Sequence, residues 1–521
     1  MANAMEMDWL KKWNLYSPNN VALMDGDTGR EITYSQLYQS ACVGAEVLKK
    51  QFHIESGDRI AVLSVNELEY ITLFFAAQRL GAMIVPINYR LTAREVEHIV
   101  GDCKPKLLVH ESSFDDLVQQ LTAGVRPEQC LHLIGKNSFA ELVAAKLTST
   151  SSTSRSSDSI VGLSNFAGDE NSIAQIIYTS GTTGAPKGAM ISNGMLFWNS
   201  INTSLRLNIN QSDATVIFLP FFHTGGWNVL TTPFLHRGAK IILLKKFDPD
   251  RILELSESQK CTLLFGVPTT MDMMARSAVF PKVQLKNIRY AIVGGEPMPV
   301  ELIQTWHNKG IPIRQGYGLT EFGPNVFSLN EQDAIRKIGS IGFPNFYIDI
   351  KVVNDDGHAV AANEVGELLL KGPSMMTGYW HNDKATKETI VDGWLHTGDL
   401  VRQDTEGYVY VVGRKKDMYK SGGENVYPAE LEKVIRSLPG IRDVAVIGVK
   451  DEKWGEVGKA YVVLESNCDF NSDQASQKLS DHCLKNLAKF KIPKYFKVVP
   501  ELPKGDSGKI LKRKLLEVYP D

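Results

Sequence analysis

The 521-residue sequence has little cysteine, and its six cysteines are scattered. They form no CxxC pair and no cluster with histidine, so we expect neither a disulfide framework nor a zinc site. A chain of this length can bury a large core without disulfides. Scattered thiols are typical of a reducing compartment, and we therefore expect a cytoplasmic protein.

The sequence also has no excess of charge of one sign. It contains 57 Lys and Arg against 59 Asp and Glu, for a formal net charge of −2. Without a basic field, nucleic acid and anionic membranes are excluded as main partners. Charged residues make up 22% of the chain and aromatic residues 9%, which is ordinary for a globular protein and excludes wholesale disorder.

No hydrophobic run is long enough to predict a membrane span. The most apolar stretch, 71–87, is interrupted by Gln78 and Arg79, and it predicts a buried helix followed by a strand. Residues 1–12 include acidic side chains and no apolar core, so we expect no signal peptide. Both a monomer and a homodimer agree with the sequence.

Short β-rich runs alternate with helical patterns over the first 310 or so residues. Strands are predicted at 60–65, 82–86, 106–109, 173–178, 215–219, 240–244, 262–265 and 290–293. Helices are predicted at 34–51, 92–102, 248–259 and 300–309. This alternation is typical of parallel α/β layers.

The pattern changes after about residue 339, where β runs punctuated by Gly and Asp follow one another. From residue 414 onward the sequence predicts a small α+β domain of about a hundred residues. We therefore predict an α/β protein in which residues 1–413 form a large body of layered α/β subdomains plus a β-rich subdomain. Residues 417–521 form the small C-terminal domain.

A low-complexity segment, TSTSSTSRSSD, occupies residues 148–158. It has too little apolar surface to pack, so it predicts a disordered surface loop. A phosphorylated regulatory loop is the alternative that the same composition allows.

The strongest chemical pattern is YTSGTTGAPKG at 178–188, between a predicted strand and a short strand near 189–191. Its glycines let the backbone approach an anion closely. The groups that can bind phosphate oxygens are the hydroxyls of Thr179, Ser180, Thr182 and Thr183, the backbone around Gly181 and Gly184, and the Lys187 ammonium. A Walker A loop is excluded, because the lysine follows Pro186.

This loop resembles the signature of the adenylate-forming superfamily, which includes acyl-CoA synthetases, firefly luciferase and the adenylation domains of peptide synthetases. Further segments resemble the superfamily's other motifs in the same order: LPFFHTGGWN (219–228), GGEPMP (294–299), QGYGLTE (315–321), WLHTGD (394–399), GRKKDMYKSGGENVYP (413–428) and PKGDSGKILKR (503–513). The resemblance spans nearly the whole chain, and it is closest to bacterial fatty acyl-CoA synthetases.

The resemblance implies an ATP site with Mg²⁺. A carboxylate beside phosphates is useful when a cation lies between them, and the resemblance implies this role for Glu321 with Thr179 near the metal. It places Thr320 on the α-phosphate and Tyr317 against the adenine. The other nucleotide-binding residues that it implies are Gly295, Glu296, Pro297, Gln315, Gly316 and Gly318. The local alternative for Glu321 is an ordinary acid at a helix N-terminus.

Local sequence predicts two turns at this site. One is a tight glycine turn at 316–318, and the other contains Asp399 and follows an exposed WLH segment. An aspartate there can accept both ribose hydroxyls, as the resemblance implies, or close an Asx turn. The resemblance adds Arg414 as a ribose or phosphate contact.

The resemblance also implies that the C-terminal domain is mobile and serves two half-reactions. Lys509 resembles the adenylation lysine, which bridges the substrate carboxylate and the α-phosphate, where two anions must meet. Lys416 falls on the implied hinge, residues 414–416. The residues implied on the CoA side are Gly422, Gly423 and Trp454. For the two glycines, an ordinary hairpin turn is the local alternative.

The resemblance places His223, Trp227 and Gly294 at the acyl site, although a histidine in this setting can also be a core residue. We therefore predict an ATP-dependent acid:CoA ligase that forms acyl-AMP and then acyl-CoA. The first expected substrate is a medium- or long-chain fatty acid, and the second is an aryl acid of the coumarate or benzoate type. An acyl-AMP ligase serving a separate carrier protein and a non-catalytic nucleotide-binding protein are the alternatives.

Overall fold

The structure is a computed structural model, and it describes residues 7–153, 166–179, 186–296, 298–466, 468, 472–505 and 510–520. The chain divides into two compact units. The first unit comprises Met1–Ile350 and Leu370–Leu395, and the second comprises Lys351–Leu369 and His396–Asp521. The predicted domain boundary at residue 413 stays a prediction.

The α-helices of the described ranges are α1 (Trp9–Tyr16), α2 (Tyr34–Phe52), α3 (Leu68–Leu80), α4 (Ala93–Cys103), α5 (Asp115–Gln120), α6 (Phe139–Thr153), α7 (Asn193–Leu207), α8 (Thr231–His236), α9 (Pro249–Ser258), α10 (Pro268–Arg276), α11 (Val300–Asn308), α12 (Asp383–Thr389), α13 (Pro428–Arg436), α14 (Ser472–Asn486) and α15 (Leu515–Val518). The helices predicted near residues 34, 92, 248 and 300 are confirmed within a few residues at each end.

The strands are β1 (Val21–Asp25), β2 (Glu31–Thr33), β3 (Arg59–Leu63), β4 (Met83–Pro86), β5 (Leu107–His110), β6 (Gln129–His132), β7 (Ile173–Thr179), β8 (Lys187–Ser192), β9 (Ala214–Ile217), β10 (Lys240–Leu243), β11 (Leu263–Gly266), β12 (Tyr290–Val293), β13 (Ile313–Tyr317), β14 (Phe327–Ser328), β15 (Ser340–Pro344), β16 (Asp349–Val353), β17 (Val365–Lys371), β18 (Gly378–Tyr379), β19 (Ile390–Val391), β20 (Trp394–Gln403), β21 (Val409–Arg414), β22 (Tyr419–Ser421), β23 (Glu424–Val426), β24 (Ile441–Asp451), β25 (Gly455–Leu464) and β26 (Tyr495–Val498). All eight strands predicted in the first 300 residues are present.

The first unit is built on parallel α/β sheets. Its largest complete sheet has the order β18-β8-β7-β4-β3-β5-β6, in which the run from β7 to β6 is parallel. A second sheet has the order β2-β1-β10-β9, and a third run begins β11-β12-β13 in parallel. Parallel strands bury both faces under helices and open toward ligands at their carboxyl ends. The predicted α/β class is confirmed.

The apolar stretch 71–87 forms the end of α3 and then β4, as predicted. Every residue of β4 is buried, and nearly the whole of α3 is buried as well. Arg79, which interrupts the stretch, is buried and pairs with Asp8 at 2.5 Å, so its charge is compensated inside the core. Among the helices of the described residues, none has the length and apolar character that crossing a bilayer requires.

The Ser-rich segment departs from its prediction. Helix α6 continues to Thr153, so residues 148–153 are helical and the prediction of a loop is wrong for them. The Thr148 hydroxyl donates to the Ala144 carbonyl at 3.0 Å, which satisfies the polar group within the helix itself. The rest of the segment, 154–158, lies outside the described residues.

The second unit is richer in antiparallel strands. One run has the order β16-β17-β20-β21, and a small sheet has the order β23-β22-β25-β24 with β26 parallel to β25. Helices α13 and α14 carry Leu431, Ile435 and Leu479 into the core of this small sheet. The predicted small α+β C-terminal domain is therefore confirmed as a fold. All six cysteines of the chain are free thiols.

Candidate active site

The predicted phosphate loop begins and ends on paired strands of the first unit. Thr179 is the last residue of β7 and pairs with Lys187, the first residue of β8. The preceding Tyr178 donates its hydroxyl to Asp102, and burial raises the pKa of that phenol. The predicted site residues Ser180, Gly181, Thr182, Thr183 and Gly184 lie outside the described residues. The strand pairing thus sets where the loop leaves and rejoins the sheet.

Glu321 meets this loop end from a distant part of the sequence. Its Oε1 atom accepts a hydrogen bond from the Tyr379 hydroxyl at 2.9 Å and lies 3.5 Å from the Thr179 hydroxyl. The Lys187 ammonium lies 5.3 Å from the centroid of the Tyr379 ring. A carboxylate, two hydroxyls and an ammonium therefore converge at the carboxyl end of β7. Tyr379 carried no motif in the sequence, and only its tertiary contact identifies it.

The segment that presents Glu321 differs from the predicted turn. Gly316 and Tyr317 belong to β13, so the predicted tight turn at 316–318 is wrong, and the chain turns only after the strand. At Gly318, a Cβ atom would lie 2.0 Å from the Pro324 carbonyl oxygen, so no side chain fits. A 3₁₀-helix follows over Thr320–Phe322 and places Thr320 and Glu321 one after the other. The Tyr317 ring packs edge-on against Phe327.

The loop after β12 is held by Gln315. The side-chain amide of Gln315 donates to the carbonyls of Val293 (3.2 Å) and Glu296 (3.1 Å), and its oxygen accepts from the Met298 backbone at 3.2 Å. Gly294 lies against the Gly316 backbone. Gln315, predicted as a nucleotide contact, thus holds Glu296 and Met298 of the predicted motif 294–299. In that loop Gly295 and Glu296 are described, and Pro297 lies outside the described residues.

The predicted acyl segment, 219–228, is held by asparagines that the sequence did not single out. Buried Asn66 donates to the Leu219 carbonyl at 3.0 Å and accepts from the Phe221 backbone at 3.1 Å. Buried Asn228 donates to Gln175 of β7 at 3.1 Å. The segment is therefore tied to the same strand that ends in the phosphate loop.

Within this segment, the structure separates His223 from Trp227. The His223 ring lies 4.6 Å from the Phe222 ring and is partly exposed. Trp227 is fully buried, stacked on Phe221 at 4.2 Å, and it meets Tyr70 edge-on. Trp227 and Phe222 are thus both buried, whereas His223 is partly exposed.

The second unit holds the predicted ribose residues together. Asp399 is 5% exposed, and its Oδ1 atom pairs with Arg414 Nε at 2.8 Å. Asp399 lies within β20, so the prediction of a turn at this residue is wrong. Its backbone N–H nevertheless donates a local hydrogen bond to the Thr397 hydroxyl. Lys416 follows in a 3₁₀-helix. Burial lowers the pKa of its ammonium, and the positive charges of Arg414 and Arg513 lower it further. The negative charge of Asp417 acts in the opposite direction.

The predicted CoA-side residues also meet. Gly422 and Gly423 form the two-residue turn between β22 and β23, with φ values of +60° and +88° that favour glycine. Trp454 accepts the Gly422 N–H through its carbonyl at 2.9 Å, and its ring covers Gly422. The hairpin alternative is thus correct as local structure. Trp454 is half exposed, so an aromatic face is available beside the turn.

Comparison with known proteins supplies the class. A model of AMP-binding enzymes matches residues 10–380, and a model of the AMP-binding enzyme C-terminal domain matches residues 430–509. The chain belongs to the AMP-binding enzyme family, and the predicted membership of the adenylate-forming superfamily is confirmed.

Relatives with curated names are CoA ligases of several substrate classes. The chain is 36% identical to a feruloyl-CoA synthase of Amycolatopsis sp, over 95% of each chain, and 35% identical to the long-chain-fatty-acid–CoA ligase FadD13 of Mycobacterium tuberculosis, over 96% of each. Among solved structures, ATP-bound MatB from Rhodopseudomonas palustris matches with a TM-score of 0.88 and 30% identity over 99% of each chain. O-succinylbenzoate CoA synthetase from Bacillus subtilis, in complex with ATP and magnesium ion, matches with a TM-score of 0.83, 29% identity, and coverage of 98% of this chain and 99% of that one.

Proposed function

We propose that the protein is an ATP-dependent acid:CoA ligase that forms an acyl-AMP and then an acyl-CoA. The observation that carries the proposal is the convergence of Thr179 and Tyr379 on Glu321, at the carboxyl end of a parallel strand from which the phosphate loop departs. Ligands of open α/β sheets bind at such ends. The relatives are named as CoA ligases, which supports the second step, the formation of acyl-CoA.

The residues at this point fit Mg²⁺. A carboxylate and a hydroxyl are oxygen ligands of the kind that Mg²⁺ prefers, and an ATP- and magnesium-bound relative has the same fold. We therefore assign the ion to Glu321 and Thr179. When bound, the ion neutralises phosphate charge. The chain's own part is to hold the Glu321 carboxylate in place, and Tyr379 does this through its hydrogen bond.

We further propose that residues 414–416 are a hinge between a body of residues 1–413 and a moving domain of residues 417–521. Two sets of residues would then serve two reactions. Lys509, which lies outside the described residues, would assist the attack of the substrate carboxylate on the α-phosphate, with release of pyrophosphate. The Gly422–Gly423 turn would serve the attack of the CoA thiol on the acyl carbonyl, with release of AMP.

Lys509→Ala should separate the two half-reactions. We expect pyrophosphate exchange to fall by about 10²–10³-fold, because a cation that stabilises transition-state charge is lost. Conversion of supplied acyl-AMP to acyl-CoA should stay within about threefold of the unsubstituted protein, because Lys509 serves only the first step. Lys514→Ala removes an exposed lysine from the same terminal region and is the matched control. Equal loss of both half-reactions would contradict the two-step assignment.

Gly423→Leu should have the opposite effect. A Cβ atom at Gly423 would have no other atom within 4 Å, so a leucine projects into open space on the turn. We expect CoA-dependent thioester formation to fall by about 100-fold through misplacement of the thiol, while pyrophosphate exchange is retained. Gly357→Leu carries similar backbone strain, at φ +79° with open space around it, and controls for that strain. Normal CoA turnover in Gly423→Leu would rule out the assignment.

For the acid, we propose an apolar monocarboxylic acid that carries a ring. The acyl segment is rich in aromatic contacts, since the buried Phe222 ring meets Tyr89 edge-on at 5.1 Å and lies 4.6 Å from the His223 ring. Phe221 and the stacked Trp227 are buried in the same segment, and aromatic rings favour packing against another ring. The feruloyl-CoA synthase likeness supports this order of preference. A medium- or long-chain fatty acid, which we placed first from the sequence, is the second candidate and is supported by the likeness to FadD13.

A panel of acids tests this choice. Ferulate, indoleacetate, benzoate, acetate, octanoate and palmitate would be compared by CoA-dependent AMP release. We expect kcat/KM for the best aryl acid to exceed that for the best fatty acid by at least about tenfold, the effect of about 1.4 kcal/mol. The reverse order would favour the fatty-acid function. Pyrophosphate exchange without thioester formation on any acid would favour delivery to a carrier protein.

A further inference from the structure

Two histidines and an aspartate cluster outside the nucleotide site. His110 is the last residue of β5 and His132 the last residue of β6, and the two are directly paired in the parallel register. Paired residues of neighbouring strands project from the same face of a sheet. Asp115, the first residue of α5, reaches the same point. Three separate elements therefore each contribute one side chain.

The distances suit a metal ion. One carboxylate oxygen of Asp115 lies 2.8 Å from His132 Nε2 and 3.3 Å from His110 Nδ1. One ligand atom from each of the three side chains lies within 4.8 Å of the others. Tetrahedral zinc with bonds of about 2.0–2.1 Å separates its ligand atoms by roughly 3.3 Å. Movements of a few tenths of an ångström to about 1.5 Å, small for side chains, would bring the three atoms to that spacing.

The surroundings suit an ion with an open coordination position. The His110 side chain is 7% exposed, whereas those of Asp115 and His132 are 41% and 35% exposed. The cluster is thus anchored on one side by a buried ring and faces solvent on the other, where water can complete the shell. His110 Nδ1 also lies 3.1 Å from the Glu111 carbonyl, a contact that zinc would replace, and each neutral ring would then carry its proton on the nitrogen that does not bind the ion.

The cluster is distinct from the proposed magnesium site. In the sheet order β7-β4-β3-β5-β6, strand β6 lies four strand spacings from β7, which carries Thr179. At about 4.8 Å per spacing, His132 lies roughly 19 Å from the phosphate loop along the sheet edge. Two imidazoles and one carboxylate also favour zinc over magnesium, which prefers oxygen ligands.

We propose that His110, Asp115 and His132 bind one Zn²⁺ ion, which joins the ends of β5 and β6 to the start of α5. The sequence predicted no zinc site because its cysteines are scattered, but this site uses no cysteine. The proposal is independent of the ligase function, and its test needs neither ATP nor an acid.

The test uses the full-length protein, stripped with a chelator and titrated with zinc sulfate by calorimetry. We expect about one equivalent of zinc to bind and to raise the melting temperature, because an ion that binds only the folded state stabilises it. Asp115→Asn and His132→Gln should each weaken zinc binding by at least about tenfold, since loss of one of three ligands also leaves an incomplete shell.

Two controls separate this site from adventitious binding. Cys130→Ser removes the exposed thiol two residues before His132 on the same strand, and His358→Gln removes an exposed histidine of the second unit. Both should bind zinc as the unsubstituted protein does. X-ray absorption of the zinc-loaded protein should show nitrogen and oxygen ligands without sulfur, a readout that needs no variant to fold. Absence of zinc uptake, unchanged affinity in Asp115→Asn, loss in Cys130→Ser, or a sulfur ligand would each overturn the proposal.

Discussion

Replacing Glu321 by Gln should lower kcat/KM for acid-dependent pyrophosphate exchange by about 10²–10³-fold, the usual loss when one group that stabilises transition-state charge is removed. The change keeps the shape of the side chain and its contact with Tyr379, but it removes the charge that would hold a cation against the phosphates. Higher magnesium concentration should recover part of the activity. Pyrophosphate exchange at several magnesium concentrations measures both effects.

Two further variants make the Glu321 result specific. Glu301→Gln removes an exposed carboxylate from the first turn of α11 and should leave the exchange rate unchanged. Tyr379→Phe removes the hydroxyl that donates to Glu321, and we expect a smaller loss, of about tenfold, which is the low end for one hydrogen bond to a charged acceptor. An exchange rate for Glu321→Gln within about threefold of the unsubstituted protein would remove Glu321 from the metal assignment.

Asp399→Asn should weaken AMP binding by about 100-fold. The carboxylate can accept two hydroxyl hydrogen bonds, and bonds to a charged acceptor are worth about 1.5–3 kcal/mol each, more than their amide counterparts. The residue is nearly buried, and its ion pair with Arg414 orients it, so the aspartate loses little freedom when a ribose binds. Calorimetric titration with AMP measures the dissociation constant directly.

The fold must survive the Asp399 change for this result to count. Arg414 is partly exposed, so water can solvate the guanidinium when its partner loses charge, and we expect the melting temperature to change little. Asp356→Asn, an exposed change in the same unit, should bind AMP normally. AMP affinity in Asp399→Asn that matches this control would show that Asp399 only supports the strand.

Secondary structure was the part that local sequence predicted best. The apolar run around Ile71 became a buried helix and strand, because burial of both elements follows from their composition. The errors share one cause. Helix α6 continued through serines, and the segment with Asp399 stayed extended, because side-chain hydrogen bonds and sheet pairing outweighed local turn propensity.

The site was predicted in part. Glu321 and Thr179 were paired through the resemblance, and the structure brings them within 3.5 Å. Tyr379 and Asn66 were missed, because a lone tyrosine or asparagine carries no pattern until its partner is known. Trp227 was predicted at the acyl site, and its full burial in the core became visible only with its neighbours Phe221 and Tyr70 in place.

The sequence by itself determined the α/β class, the order of the motifs and the residue types that we propose for phosphate binding, because these depend on periodicity and on short contiguous patterns. Tertiary structure alone decided that Tyr379 meets Glu321 and that His110 meets His132. Glu321 lies 142 residues from Thr179 and 58 from Tyr379, and the carboxyl ends of adjacent parallel strands bring His110 and His132 together. The physical reason is that strand register sets the histidine meeting and packing between elements of separate sheets sets the contacts of Glu321, and neither is encoded in the residues that meet.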